Sequence, residues 1–225
     1  MAPAFDAVGS DYEYNVSTTG CQFNMAATAS GGIAIIFLAY NPAAQGVDWA
    51  NTPTVNGVSA TQIGTPYNYS GTQYLRAYYF LDPPTSSVAY IASTDNVGVD
   101  RDIEMLAAIY TDANQTGQVD SSNTGTGTPT ATLTTTVVAS NCWLVSIGRN
   151  TTFGTVNVGT GTTNRKTGVS ANIGDSGGTV GTGSQSMAWT QASGDTFGFV
   201  VSIKPTAAGG VAISVQSTLL TLGVG

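Results

Sequence analysis

The stretch Gly32-Ile33-Ala34-Ile35-Ile36-Phe37-Leu38-Ala39-Tyr40 decides the fold. From Ile33 to Tyr40 it carries neither a charge nor an amide side chain, and Ser30-Gly31 and Asn41-Pro42 bound it. An apolar run this short, stopped at both ends by turn residues, reads as a strand covered on both faces and is too short for a membrane helix. Residues 74–81 form a second such run, closed by Asp82-Pro83-Pro84, through which no central strand continues. Residues 103–110 form a third. Their Ala, Leu, Met and Glu suit a helix, but Asp112-Ala113-Asn114 stops the run early and no amphipathic helix exists elsewhere to pack on it, so it too reads as strand.

Around these runs the chain alternates polar and apolar residues in short pieces. Residues 12–16 and 21–25 read as two strands with one wet face, and Thr54-Val55-Asn56-Gly57-Val58 holds an Asn-Gly hairpin turn. Residues 115–129 are polar and Gly-rich and read as a long loop, whereas residues 131–138 alternate Thr with apolar side chains. Further strands fall at 142–148, 186–190 and 196–203. An internal echo is visible: Ala29-Ser30-Gly31-Gly32-Ile33 and Ala139-Ser140-Asn141-Cys142-Trp143 each precede a core run ending in Asn, which suggests packed sheets with related halves. About ten short strands with Gly/Thr/Asn punctuation argue for an all-β, jelly-roll-type antiparallel β-sandwich over residues 1–205. Lys204-Pro205 is a strong stop, so residues 206–225 read as a C-terminal extended arm. Its apolar Val211, Ile213, Val215, Leu219, Leu220 and Leu222 either add strands to the same sandwich or form an interface with an adjacent subunit.

Charged residues make up only 8% of the chain, while 34 of the 225 residues are Thr and 28 are Gly. Hydroxyls and amides therefore carry solubility, and such a surface is buried against a neighbour with few charges to desolvate. The net charge of −7, with two lysines and four scattered arginines, excludes a phosphate-binding footprint. Histidine is absent, which removes His-based general bases and most zinc ligation. Cys21 and Cys142 permit one disulfide or two buried thiols. The first residues, Met1-Ala2-Pro3-Ala4-Phe5-Asp6, lack the pattern of a signal peptide, so synthesis in the cytoplasm is expected.

Three motifs invite chemistry. Gly174-Asp175-Ser176-Gly177-Gly178 spells a serine-protease nucleophile, but no histidine is present to take the serine proton and Lys166 lies in a polar stretch read as loop, so a Gly-rich hairpin is expected. Asp95, Asp100, Asp102 and Glu104 suit a Ca²⁺ loop in residue type but not in EF-hand spacing, and Arg101 sits among them, so a solvated loop and no cofactor are expected. As glycosidase carboxylates they need a cleft between two of them. Tyr67, Tyr69, Tyr74, Tyr78 and Tyr79, with Trp49 and Trp189 in or beside loops, offer either core packing or an aromatic platform for a surface glycan.

The core run 32–40, the Val55-Asn56-Gly57-Val58 turn, the strand end Tyr78-Tyr79-Phe80-Leu81-Asp82-Pro83 and the closing Ser202-Ile203-Lys204-Pro205 together resemble concanavalin-like jelly-roll domains across residues 5–205. Such domains occur in bacterial surface proteins and phage structural proteins. In the phage setting the resemblance implies a capsid decoration (cement) protein, a tail component or a receptor-binding head; the scarcity of charge, the apolar arm and the expected cytoplasmic synthesis favour a non-enzymatic virion protein assembled in the host cytoplasm, most of all a decoration protein. Its partners would be capsid or tail subunits, with a homo-oligomer, dimer or trimer, hiding sheet edges. A glycan-binding module or receptor-binding tail component is the alternative. No catalytic residue is carried over, and neither nucleic acid nor membrane is an expected partner.

Overall fold

The computed structural model describes residues 1–14, 20–41, 51–92, 102–151 and 156–206, and every regular element among them is a strand. The first nine are β1 (Ala4–Tyr14), β2 (Cys21–Met25), β3 (Ile33–Asn41), β4 (Thr54–Val55), β5 (Val58–Ser59), β6 (Thr61–Tyr69), β7 (Gln73–Leu81), β8 (Val88–Ala92) and β9 (Asp102–Thr111). The next eight are β10 (Ser121–Gly127), β11 (Thr130–Val137), β12 (Cys142–Asn150), β13 (Asn157–Val158), β14 (Thr163–Thr167), β15 (Ala171–Val180), β16 (Gly183–Thr190) and β17 (Thr196–Ile203). All the pairings between them are antiparallel.

The all-β sandwich expected from the sequence is present, and its strands fall into two sets with the same wrapping. In the first, one sheet has the order β1-β9-β3-β7-β6 and the other β2-β8-β4-β5. In the second, the orders are β10-β17-β12-β15-β14 and β11-β16-β13. First strand beside last, last beside third, and second beside penultimate is the jelly-roll order, and each set has it. The echo in the sequence falls at the same place in both. Gly31 and Asn141 each take a left-handed turn, with φ of 76° and 58°, just before β3 and β12, the central strands of the five-stranded sheets.

Three apolar layers separate the four sheets. The outer core of the first set holds Ile36, Leu38, Tyr40, Tyr78 and Met105 against Cys21, Met25 and Tyr90. The middle core joins the two five-stranded sheets, Ile35, Phe37, Leu75 and Leu106 on one side and Val145, Ile147, Phe199 and Val201 on the other. The outer core of the second set holds Leu144 and Val200 against Leu133, Met187 and Trp189. With one such layer on each side, β3 and β12 are buried on both faces, which is why β3 reads as an unbroken apolar run from Ile33 to Tyr40 and β12 as a mostly apolar one that also buries Ser146 and Arg149.

Several expectations need correction. Residues 115–129 are not one loop: β10 occupies 121–127 and pairs with β17, Thr and Ser serving as β-branched or small strand residues there. The predicted hairpin at 174–178 lies inside β15, where Gly174 and Asp175 pair with β12 on one side and β14 on the other and 176–178 fall at a register shift against β12, and Lys166 stands on β14 rather than in a loop. Trp189 stands on β16, where a strand was expected, and is fully buried, so it offers no exposed ring. The Asn56-Gly57 hairpin between β4 and β5 forms as expected, both residues at positive φ (50° and 77°). Residues 207–225, with the arm's Val211, Ile213, Val215, Leu219, Leu220 and Leu222, lie outside the described residues, as do Trp49, Asp95, Asp100 and Arg101.

Candidate functional site: a polar seam and an uncharged outer face

Polar side chains tie the two jelly rolls together along the middle layer. On β15, Asp175 is fully buried, and Tyr110 of β9 donates its phenol to it at 3.0 Å. Arg165 of β14 pairs with the same carboxylate at 2.6 Å, and Gly177 N donates to its other oxygen at 2.8 Å. Burial, and then the carboxylate itself, push the Tyr110 phenol well above its ordinary range, which keeps it a neutral donor. Arg165 also lies over the Phe5 ring at 4.2 Å, a cation–π contact from the second jelly roll to the first.

A second carboxylate makes the reciprocal tie. Glu104 of β9 is almost fully buried and accepts Val169 N at 2.6 Å, Ser170 N at 2.8 Å and the Ser170 hydroxyl at 2.8 Å, all from the turn between β14 and β15. Arg149 of β12 crosses the other way, donating to Asn41 Oδ1 at 3.0 Å. Its burial brings the guanidinium down to about 10, against the pull of Glu104, Asp102 and Tyr12, so it stays charged at neutral pH. At the far end, the hydroxyls of Thr128 and Tyr69 both donate to Asp195 and hold its carboxyl below the ordinary range.

These contacts settle what the sequence motifs do. Asp175 and Ser176 are not poised for nucleophilic chemistry: the carboxylate is spent on Arg165 and Tyr110, and Ser176 Oγ donates to Gly178 O at 2.6 Å. Asp102 and Glu104 belong to β9 rather than to a solvated loop. A cleft of about 400 Å³ is lined by Asp11 and Glu104, with Tyr12 and Thr167. Asp11 there accepts Tyr12 N and Gln22 N at 2.9 and 2.8 Å, so backbone amides engage both carboxylates. Among the described residues, no three acidic or thiol side chains converge as a cation site. Both cysteines are free and buried, Cys21 in the first outer core and Cys142 in the second, and burial pushes each thiol up.

Of the tyrosines of the β6–β7 hairpin, two are buried, and Tyr67, Tyr69 and Tyr79 are half-buried against the middle core. Tyr74 and Tyr78 are core residues, Tyr40 stacks on Tyr74 at 5.3 Å, and Tyr69 stacks on Phe197 at 4.9 Å across the seam. Core packing accounts for Tyr74 and Tyr78.

The unanticipated surface is the outward face of β11 and β16. On β11, Ala131, Leu133 and Val137 point into the second outer core, which leaves Thr130, Thr132, Thr134 and Thr136 outward. Opposite them on β16 stand Thr190, Ala188, Ser186 and Ser184. Hydroxyls meet across the strands, Thr130 with Thr190 and Thr134 with Ser186, each at 2.8 Å. The face is uncharged over its whole length. The Thr-x-Thr-x-Thr-x-Thr spacing of residues 130–136 carried this signal: alternation predicts the strand, and the identity of the outward residues predicts the face.

No protein-family model, curated protein or solved structure matches this chain.

Proposed function

We propose that the chain is a non-enzymatic structural protein of a larger assembly, in its specific form a virion component that clamps neighbouring capsid or tail subunits as a decoration or cement protein. The observation that supports this most is the outward face of β11 and β16, where seven hydroxyl side chains around the buried Ala188 form a surface with no charge to desolvate. Such a face is buried against a partner at low cost, with hydroxyls satisfied by direct or water-mediated hydrogen bonds. The seam supports the same reading, because its buried carboxylates are committed to holding two sandwiches together. A glycan-binding module has less support, since Tyr74 and Tyr78 of the hairpin are core residues and Tyr69 is stacked on Phe197.

The test is co-sedimentation with capsids and with tails assembled from the same source, comparing the native chain with a Thr134→Glu/Ser186→Glu variant. Binding by the native chain and at least a tenfold loss in the variant are expected. A native chain that sediments with neither particle rules the reading out.

A further inference from the structure

The two jelly rolls meet through equivalent surfaces. Each offers the same face of its five-stranded sheet, the one turned away from its own smaller sheet, to the middle core. At the rim of that core, Ala113 and Pro205 form an antiparallel bridge, flanked by Asn114 N to Lys204 O at 3.0 Å and Thr206 N to Asp112 O at 2.8 Å. Asp112–Asn114 follow the last strand of the first set, and Lys204–Thr206 follow the last strand of the second. The bridge therefore joins like to like, as a two-fold axis through an isologous interface requires.

We infer that the chain is a fused dimer of two jelly rolls: the outer face of each five-stranded sheet is an association surface whose partner is a second copy of the same fold. Only the segment from β9 to β10 makes this association intramolecular. That segment is fastened at its ends, Gln115 Nε2 on Gly31 O and Gly32 O at 2.9 and 3.0 Å and Gln118 with Lys204 at 2.9 and 3.0 Å, while Thr116 and Gly117 between them are exposed. The seam itself supplies what a subunit interface needs. It has an apolar centre of aliphatic and aromatic residues, and hydrogen-bonded charges such as Glu104 and Asp175 towards its polar groups. Two consequences follow. The halves stay associated when the connection is cut, and chains whose connection is too short to fold back exchange halves with one another.

The experiment inserts a protease site between Thr116 and Gly117 of the full chain and cleaves the folded protein. Light scattering should give the same particle mass before and after cleavage, with the near-ultraviolet circular dichroism of the buried aromatics retained. The unfolding midpoint of the cut protein should then rise with protein concentration, as that of the uncut chain does not. Fragments that separate without denaturant, or a cut protein that loses its aromatic signal or aggregates, overturn the inference. A second variant, lacking Thr116 and Gly117, should double in particle mass relative to the native chain with its secondary structure intact. A folded variant of unchanged mass overturns the exchange.

Discussion

The two jelly rolls share a wrapping order and fill their outer cores in opposite ways. The first uses several rings: Tyr40 stacked on Tyr74 at 5.3 Å, Phe23 on Tyr90 at 5.5 Å, and Tyr78 beside them. The second centres on one indole, Trp189, seated on Gly148 of β12, where a Cβ would stand 2.2 Å from the ring, and donating Nε1–H to Ser146 at 2.9 Å. The lesson is that strand order constrains where a core lies and how deep it is, not which residues fill it. Several tyrosines share one space with room for adjustment, whereas one tryptophan needs a missing side chain beneath it and a hydroxyl beside it.

The largest effect expected from breaking this arrangement falls on what both halves share. Glu104→Ala removes the acceptor of the part-buried Val169 amide and of the buried Ser170 amide and hydroxyl and leaves Arg149 buried with less compensation, a loss of about 3–5 kcal/mol by urea denaturation. Loss of less than about 1 kcal/mol would mean that the seam is not held by this tie. Next come the two glycines under aromatic rings. Gly148→Ala drives a methyl into the fully buried Trp189, and about 3 kcal/mol is expected; Gly9→Ala meets Phe23 at 2.5 Å, but that ring is half-exposed and free to shift, so about 1 kcal/mol is expected. Equal losses in a thermal melt would contradict the proposed difference between the cores.

Smaller effects sharpen the contrast in polar satisfaction. Ser146→Ala strands the Trp189 N–H and should cost about 1–3 kcal/mol, whereas the buried Tyr90 hydroxyl has no hydrogen-bond partner among the described residues and Tyr90→Phe should be neutral or stabilising. A destabilised Tyr90→Phe would reveal a partner for that hydroxyl. The smallest effect is the exposed tie at Asp195. Its carboxyl is held below the ordinary value by Thr128 and then Tyr69, so it contributes stability at neutral pH that is lost as pH falls from the ordinary aspartate range, near ~4, through the lower folded value. Melts of the native chain and of Tyr69→Phe should differ at neutral pH and converge below that window. A constant gap from neutral to strongly acid pH would show that Tyr69 acts through its ring on Phe197 rather than through Asp195.

Much of the fold was legible because burial on both faces leaves a plain mark. Residues 33–40 are apolar without interruption, 103–110 are apolar but for Glu104, and 196–203 are mostly apolar, with Thr196 and Ser202 as their polar members; each is a strand with a packed layer on either side. Residues 121–127 were misread because an edge strand of Ser, Asn, Thr and Gly has neither an apolar face nor a period, and its pairing with β17 alone makes it a strand. The motif at 174–178 misled for a related reason. Glycines that usually mark a turn sit here in a strand whose neighbours come close, and only the paired partners on both sides distinguish the two.

By itself the sequence determined the class of fold, the central strands, the Asn56-Gly57 hairpin and the weakness of the catalytic motifs. Those follow from local rules: apolar runs bury, Asn-Gly turns, and a chain without histidine lacks the usual proton acceptor. Its echo at Ala29 and Ala139 hinted at related halves. The tertiary structure decided that there are two jelly rolls, that Glu104 and Asp175 face the opposite half, and that the threonines of residues 130–136 form one uncharged face. Each of these depends on which strands, far apart in the chain, lie side by side, and alternation within a strand carries no record of its neighbours.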